Sequence, residues 1–475
     1  ENINNLKDKN SIVVIGGQQP GLLTGPIFII YKILTVLKVS SFLEDKLKVR
    51  AVPCFWNASD DSSLDQVNSL KILNNDLDKI VLNLSDVIQG TRYSNFFLPS
   101  CSLKKVINDL ENVLKSTDFK GAITNFLNEC LNTAANSSSK DDKNVSISSF
   151  FSIIISRMFS DYGLVVIDPA SEELKSLSYW LLKYDINNYQ EINNLVSSAG
   201  IKLKENGYHA QLNSIPETLN FFWNISGVRK KIISDRKNYF KIANRRFKKE
   251  ELISYIEKNI EKASLNVVLR PIFQDGVLPV MCCVCGPGEV SYFAQLKEIY
   301  NLMNIKMPVI YPRFSATIVE KKIKKVLNKL KVAYGDLSLN KGKLSRKIVG
   351  EKLNLDLDKL ILELENDVMV KIEKLEKNIS NYGMNIYSSF DRIKRNIRKE
   401  ISVLEKKLYS EYKNQNKYIF EGLDKIYNNL LPGDNLQERE LNVWGYINKY
   451  DFDFINCLYL KFEPLDFSHK FIEIL

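Results

Sequence analysis

Histidine is almost missing from this chain: His209 and His469 are the only two in 475 residues. No uninterrupted apolar run reaches the ~20 residues that a bilayer span needs. No signal-peptide pattern stands at the N-terminus. Both absences argue against a membrane partner and for a cytoplasmic protein. Cysteine is sparse and irregular, with Cys54, Cys101, Cys130, Cys282, Cys283, Cys285 and Cys457 making an odd set of seven. That pattern suits reduced thiols in a cytosol better than a disulfide framework. Charge is not of one sign: 66 Lys and Arg face 56 Asp and Glu, a net +10. Such a balance can mark a polyanion partner. Here the lysines are spread everywhere and interleaved with Glu, which argues against nucleic-acid binding.

What is present is ordinary for a folded protein, 45% hydrophobic and 26% charged. The length exceeds what one core can serve and implies two or three domains. "SIVVIG" (11–16), "RAVPCFW" (50–56), "KIVLNL" (79–84) and "GLVVID" (163–168) read as strands covered on both faces. Helical patterns at 26–46, 103–131 and 148–161 separate them, and this alternation predicts a parallel, doubly wound α/β sheet. Residues 169–262 read as an insertion with a helix near 171–195 and strand-like pieces around 207–212, 219–225 and 229–235. The sheet pattern returns over 263–319. From 320 to 431 the texture is Lys-, Glu-, Leu- and Ile-rich. Its apolar stripe runs Val368, Ile372, Leu375, Ile379, Tyr382, Ile386, Phe390, Ile393, Ile397, Ile401, Leu404, Leu408 and Tyr412. The spacing is heptad-like at first and then stretches toward an eleven-residue period. A helix of that length needs a second helix, a second chain, or both, to cover its stripe. The expected domains are therefore 1–168, 169–262, 263–319, 320–431 and a C-terminal segment, 432–475, packed on the core.

The first strand runs into "GGQQPGLLTGP", a polar, glycine-rich turn before a nearly all-apolar helix that carries Lys32. Such a turn presents free backbone N–H groups at the positive end of a helix. Pro26 suits the first helical position, and Lys32 can lean back toward the loop. An anion site and a plain tight turn, with Lys32 reaching water, both fit this spacing. It is neither a Walker loop nor GxGxxG. "CGPGEVSYFAQLKE" repeats the logic at Gly286, Pro287 and Gly288, with Glu289 at the helix start. The acidic pair Asp60–Asp61 follows the second strand and either contacts a ligand or caps a helix. Adjacent Cys282 and Cys283 point to opposite strand faces and so serve as packing residues rather than zinc ligands. No tightly bound metal is expected.

"GQQPGLLTGPIFIIYK", "VPCFWNASDDSSLDQVN", "GLVVIDPASEELK", "GYHAQL", "LRPIFQDGVLPVMCCVCGPGEVSYFAQLKEIY", "MPVIYPRFSATIVE" and "LQERELNVWGYINKY" together resemble the BshC family, cysteine ligases of bacillithiol biosynthesis. The resemblance runs from Ile12 to the C-terminus. Family members usually carry a further N-terminal segment, and the start at Glu1 without Met leaves an upstream piece to be expected. The resemblance implies a Rossmann-like core of the class I tRNA-synthetase kind, connecting insertions, and a coiled coil that makes a homodimer. It implies a reaction joining L-cysteine to the amine of glucosaminyl-malate, with ATP activating the cysteine carboxylate. The alternative is an impaired relative that acts as a ligand-binding or coiled-coil scaffold protein. That alternative draws on one departure: the family reads Glu-Asp-His-Asp where this chain has Asp60-Asp61-Ser62-Ser63, so the imidazole is gone.

On this reading the catalytic residues are Asp60, Asp61 and Lys32. Substrate contacts are Gln18, Gln19, Thr24, Gly25, Asn57, His209 on a strand-like piece, Gln274 and Asp275 in a polar turn, Gly286, Gly288, Glu289 and Tyr292. The nucleotide falls to Arg313, Ser315 and Thr317, with Arg439 and Lys470 beside His469.

Overall fold

The computed structural model describes residues 1–62, 68–73, 77–81, 91–137, 144–235, 238–353, 357–380 and 387–474. The chain divides into two compact units. One comprises Glu1–Thr317 with Glu438–Lys470, the other Ile318–Gln437 with Phe471–Leu475.

The first unit is built on five parallel strands: β1 (Ile12–Gln18), β2 (Ala51–Asn57), β3 (Val165–Ile167), β4 (Val280–Cys285) and β5 (Val309–Pro312). Their spatial order is β5-β4-β1-β2-β3. Both faces are covered, which is why the strands are apolar at successive positions. Val13, Ile15, Cys54, Cys283 and Cys285 enter one core, and Val14, Cys282 and Val284 enter the other. Cys282 and Cys283 thus do point to opposite faces. The helix after β1, α1 (Phe28–Leu47), is buried along most of its length and packs Val36 and Val39 on the second core. The order reverses between β1 and β4, so the turns leaving those two neighbours open at the same carboxyl edge. That edge is where doubly wound sheets hold ligands.

The insertion carries a long helix, α2 (Tyr179–Glu205), and an antiparallel sheet of Thr218–Ile225, Val228–Ser234, Tyr239–Ile242, Arg245–Lys248 and Ala263–Leu265. Four expectations are corrected here. The strand expected at 79–84 is Leu77–Val81, paired antiparallel with Ser69–Leu73 and outside the parallel sheet; residues 82–84 fall outside the described ones. The helix expected over 103–131 is two, Ser100–Val113 and Lys120–Asn136, parted where Leu114 turns extended. The piece at 207–212 is a loop rather than a strand. Gln274 and Asp275 lie on a helix, α3 (Leu269–Val277), not in a turn.

In the second unit, helices Lys321–Leu330, Lys341–Leu353 and Lys417–Leu430 enclose a core of Ile323, Leu327, Leu344, Val349, Ile419, Leu423 and Ile426. The long stripe is not one helix. Leu357–Ser380 and Tyr387–Gln415 run antiparallel, with Lys394 against Glu376 at 2.5 Å and Arg398 against Glu365 at 3.1 Å. The intervening sequence contains Asn381, Gly383 and Asn385, all poor helix formers. Tyr382 and Ile386 of the stripe fall outside the described residues. Pairing covers Phe390 and Ile401, and Tyr412 enters the core of the three shorter helices, while Leu375, Ile393, Leu404 and Leu408 stay exposed.

Candidate active site

A cavity of about 1130 Å³ opens at the carboxyl edge of β1 and β4, walled wholly by residues of the first unit. The turn after β1 runs through Leu23, Thr24 and Gly25, at φ 44°, 80° and 67°. Three left-handed residues in a row are strained for any side chain. What holds them is remote in sequence. Asn442 Nδ2 donates to the carbonyls of Leu23 and Gly25 at 3.0 and 2.6 Å and to Thr24 Oγ1 at 3.3 Å, and Trp444 Nε1 donates to Leu23 O at 2.8 Å. Gly21 meets Gly25 backbone to backbone: a Cβ on Gly21 would stand 2.6 Å from Gly25 Cα.

Lys32 is 1% exposed, so the reading in which it reaches water is excluded. Its ammonium donates to Gly17 O at 2.6 Å, Gln18 Oε1 at 3.1 Å and Glu289 Oε2 at 2.5 Å. Three donors meet three acceptors, and the side chain clamps the first loop to the second. Glu289 also accepts from Gly286 N at 2.7 Å, at the start of α4 (Pro287–Phe293). The two glycine-rich turns therefore share one hollow.

The acidic pair is ringed by cations. Asp60 accepts from Arg92 Nη1 at 3.2 Å and from Lys175. Asp61 accepts from Arg229 Nη1 at 2.8 Å, from Gln19 Nε2 and from the Ser62 backbone N–H at 2.8 Å. Burial lowers the pKa of Lys175 despite the opposing pull of Asp60, and burial likewise lowers Arg229. The lone pairs of both carboxylates are thus directed at cations and at Gln19, and the pair forms a neutralised floor. Ser63 lies outside the described residues.

On α3, Arg270 Nη2 donates to Tyr292 Oη at 2.8 Å and Nη1 to Gln274 Oε1 at 3.3 Å. Gln274 Nε2 donates to Asp275 Oδ1 at 3.0 Å, and Tyr300 Oη to Asp275 Oδ2 at 2.5 Å. Burial pushes the Asp275 carboxyl up to about 6 against both hydrogen bonds. Burial also holds Tyr292 protonated well above its usual range.

Of the residues singled out from the sequence, Gln18, Gln19, Gly25, Lys32, Asp60, Asp61, Gly286, Gly288, Glu289, Tyr292, Arg313 and Arg439 line this cavity. Gln274 and Asp275 stand behind Arg270 instead of on the wall. Thr24 is buried in its turn. Asn57 is buried too, donating to Ser148 Oγ at 2.9 Å and Ser152 Oγ at 2.7 Å. His209 is exposed, and its carbonyl accepts from Ser291 Oγ at 2.8 Å. Arg313 faces Glu438 at 2.6 Å, Ser315 Oγ donates to Glu438 Oε2 at 3.0 Å, and His469 sits between Ser315 Oγ at 2.7 Å and Thr317 Oγ1 at 2.9 Å. Lys470 pairs with Asp466 at 2.9 Å. Ser315, Thr317 and Lys470 are thus not brought to the wall. Sequence reasoning passed over Arg92, Lys175, Arg229, Arg270 and Asn442. Only Arg270 carried a signal, as the one charge within "NVVLRPIF".

The wall holds eight cationic side chains, Lys32, Lys71, Lys175, Lys231, Arg229, Arg270, Arg313 and Arg439, against the four carboxylates of Asp60, Asp61, Glu289 and Glu440. A hollow so charged draws anions.

Comparison with known proteins gives two family matches that together span the chain. The description "Bacillithiol biosynthesis BshC, N-terminal Rossmann-like domain" covers residues 1–314. "Bacillithiol biosynthesis BshC, C-terminal coiled-coil domain" covers 316–474. A protein of Salinibacter ruber is 30% identical over 94% of this chain and 80% of its own length. Similar proteins of Geobacillus sp. (29% identical, 100% and 86% covered) and Bacillus cereus strain AH187 (26%, 100% and 87%) extend the match. All three carry the provisional name cysteine ligase BshC.

Proposed function

The chain belongs to the BshC family of bacillithiol biosynthesis, and on that premise we propose that it is a ligase joining L-cysteine to the amine of glucosaminyl-malate. ATP activates the cysteine carboxylate, the sugar amine attacks the activated carbonyl carbon, and an amide bond forms as the phosphorylated leaving group departs. The observation that carries this reading is the cation excess in a hollow where two glycine-rich turns meet. Glucosaminyl-malate brings two carboxylates and ATP a triphosphate, so both require net positive walls. The volume, about 1130 Å³, accommodates an amino acid, a glycoside and a nucleotide together. Gln18 supports the role as well: its Oε1 is held by Lys32, which leaves its amide N–H groups to a hydroxyl- or amide-bearing substrate.

Asp60 and Asp61 are not assigned the amine proton, because their lone pairs are directed at protein donors. Lys32 is likewise a clamp between loops. The exposed apolar residues of the paired helices, Leu375, Ile393, Leu404 and Leu408, fit a homodimer through that segment.

The test is direct. Purified protein with glucosaminyl-malate, L-cysteine and Mg-ATP is followed for the thiol product by mass spectrometry. Product that depends on all three supports the ligase; a folded protein that makes none and binds none of them sinks it. Release of AMP identifies an adenylate, and release of ADP an acyl phosphate.

A further inference from the structure

Each cation on the wall of this cavity can be asked where its counter-charge is. Lys32 faces Glu289, Lys71 faces Glu440, Lys175 faces Asp60, Arg229 faces Asp61, and Arg313 faces Glu438. Lys231 and Arg439 are exposed, where water serves them. Arg270 is the remaining one. It is half-buried, and its hydrogen bonds go to two neutral oxygens, Tyr292 Oη and Gln274 Oε1. Those oxygens satisfy the direction of its N–H groups but not its charge. Glu289 is the acid whose field it feels, yet Oε2 of Glu289 already accepts from Lys32 and from Gly286 N. A cation partly removed from water with no carboxylate paired to it among the described residues is unfavourable, and a binding cavity commonly corrects this with a charge that the ligand brings.

We propose that Arg270 and Tyr292 form a subsite for a substrate carboxylate between the two glycine-rich turns. The inference rests on the ligase reading and deepens it. Arg270 lies over the first turn: a Cβ on Gly17 would come within 3.8 Å of its Nη1. Tyr292 belongs to α4 beyond the second turn, so the pair spans the hollow. Arg270 donates to Tyr292 Oη, which leaves the tyrosine's own hydrogen for another acceptor. Guanidinium N–H and phenolic O–H side by side match the two oxygens of one carboxylate. Gln274, fixed in turn by Asp275 and Tyr300, sets the plane of the guanidinium and acts as a positioning residue. Gly17 keeps the approach open, since any side chain there would press on Trp56 at 3.2 Å.

Two substrates could supply the carboxylate: the malate portion of the acceptor, or cysteine itself. The malate portion is favoured because its carboxylates do not react. The cysteine carboxylate must attack phosphorus, and a guanidinium draws electron density from it.

The test compares wild type with Arg270→Gln, Arg270→Lys and Tyr292→Phe. Steady-state kinetics supply KM for each substrate, and titration calorimetry supplies the Kd of free L-malate and of L-cysteine. Arg270→Gln is expected to raise KM for glucosaminyl-malate and Kd for L-malate at least tenfold. The cysteine KM and kcat should change less than threefold, and Tm by no more than about 2 °C. Arg270→Lys should recover part of the loss, and Tyr292→Phe should lose about threefold. A tenfold shift confined to cysteine supports the subsite and assigns it to the amino acid. Wild-type affinity for both ligands in Arg270→Gln overturns the subsite and leaves the ligase reading standing. If wild type makes no product and binds neither ligand, both fall. Should Arg270→Gln fail to fold, Arg270→Lys and Tyr292→Phe decide: unchanged KM and Kd values in both overturn the proposal.

Discussion

Nζ of Lys32 lies 2.5 Å from Oε2 of Glu289, so a lysine one turn inside a core helix closes on a helix start 257 residues further along the chain. The lysine is 1% exposed and the glutamate 23%. Removing one member of so shielded a pair strands the other's charge. Lys32→Met is expected to lower unfolding stability by about 3 kcal/mol, read from urea melts. The double variant with Glu289→Gln should lose less than the sum of the two single losses. Strict additivity would show that the pair is not coupled.

Asn442 is the second clamp on the first loop. Asn442→Ala removes the three hydrogen bonds that its amide donates, taking that donor from Gly25 O and leaving Leu23 O to Trp444 Nε1. We expect a loss of about 2–3 kcal/mol. Amide exchange should be faster at residues 22–25, while the amides of β2 keep their protection.

Asp185 is fully buried and accepts from Asn220 N at 2.7 Å and Asn220 Nδ2 at 2.9 Å, and burial raises its carboxyl from 3.8 to about 7. The native state thus keeps a proton that the unfolded chain has released between about pH 4 and 7. The sign follows: this group favours folding most below pH 4, and that contribution fades as the pH climbs through 7. Relative to Asp185→Asn, wild type should lose on the order of 2–4 kcal/mol between pH 5 and 8. Parallel stability curves for the two proteins would refute this.

Ser62→His should leave kcat within threefold. An imidazole placed there finds Asp61 already engaged by Arg229, Gln19 and the residue 62 backbone, so no open carboxylate remains to orient it. A hundredfold gain would show instead that the serine had cost the chain its general base.

The helical pair makes its own prediction. Leu404→Lys with Leu408→Lys, both at exposed positions, should convert the proposed dimer to a monomer in light scattering with helix content unchanged. A mass unaffected by the substitutions would remove this face from the interface.

The parallel sheet was legible because burial on both faces writes runs such as "SIVVIG" directly into sequence. The glycine-rich turns were legible because backbone conformation and close approach restrict the residue type, as Gly21 against Gly25 shows. What escaped depended on partners distant in the chain. Lys175, Arg92 and Arg229 are three among 66 basic residues, and nothing local marks them as neighbours of Asp60 and Asp61. The Gln274–Asp275 dipeptide looked like a turn because polar residues beside a glycine usually are one. Here the polarity serves a hydrogen-bond chain behind Arg270. The unbroken stripe at 368–412 hid a reversal because two antiparallel helices can carry the same apolar spacing as one long one.

Asn442 reaches back 417 residues to Gly25. A ribosome therefore delivers the bracket for the first loop only 417 residues after the loop itself. Until then the growing polypeptide has its amino-terminal strand and helix but no means of holding residues 23–25 in their unfavourable conformation. Activity in this protein should therefore appear only after Asn442 has been made, and a protease cut that removes it should silence a pocket whose first loop was made long before.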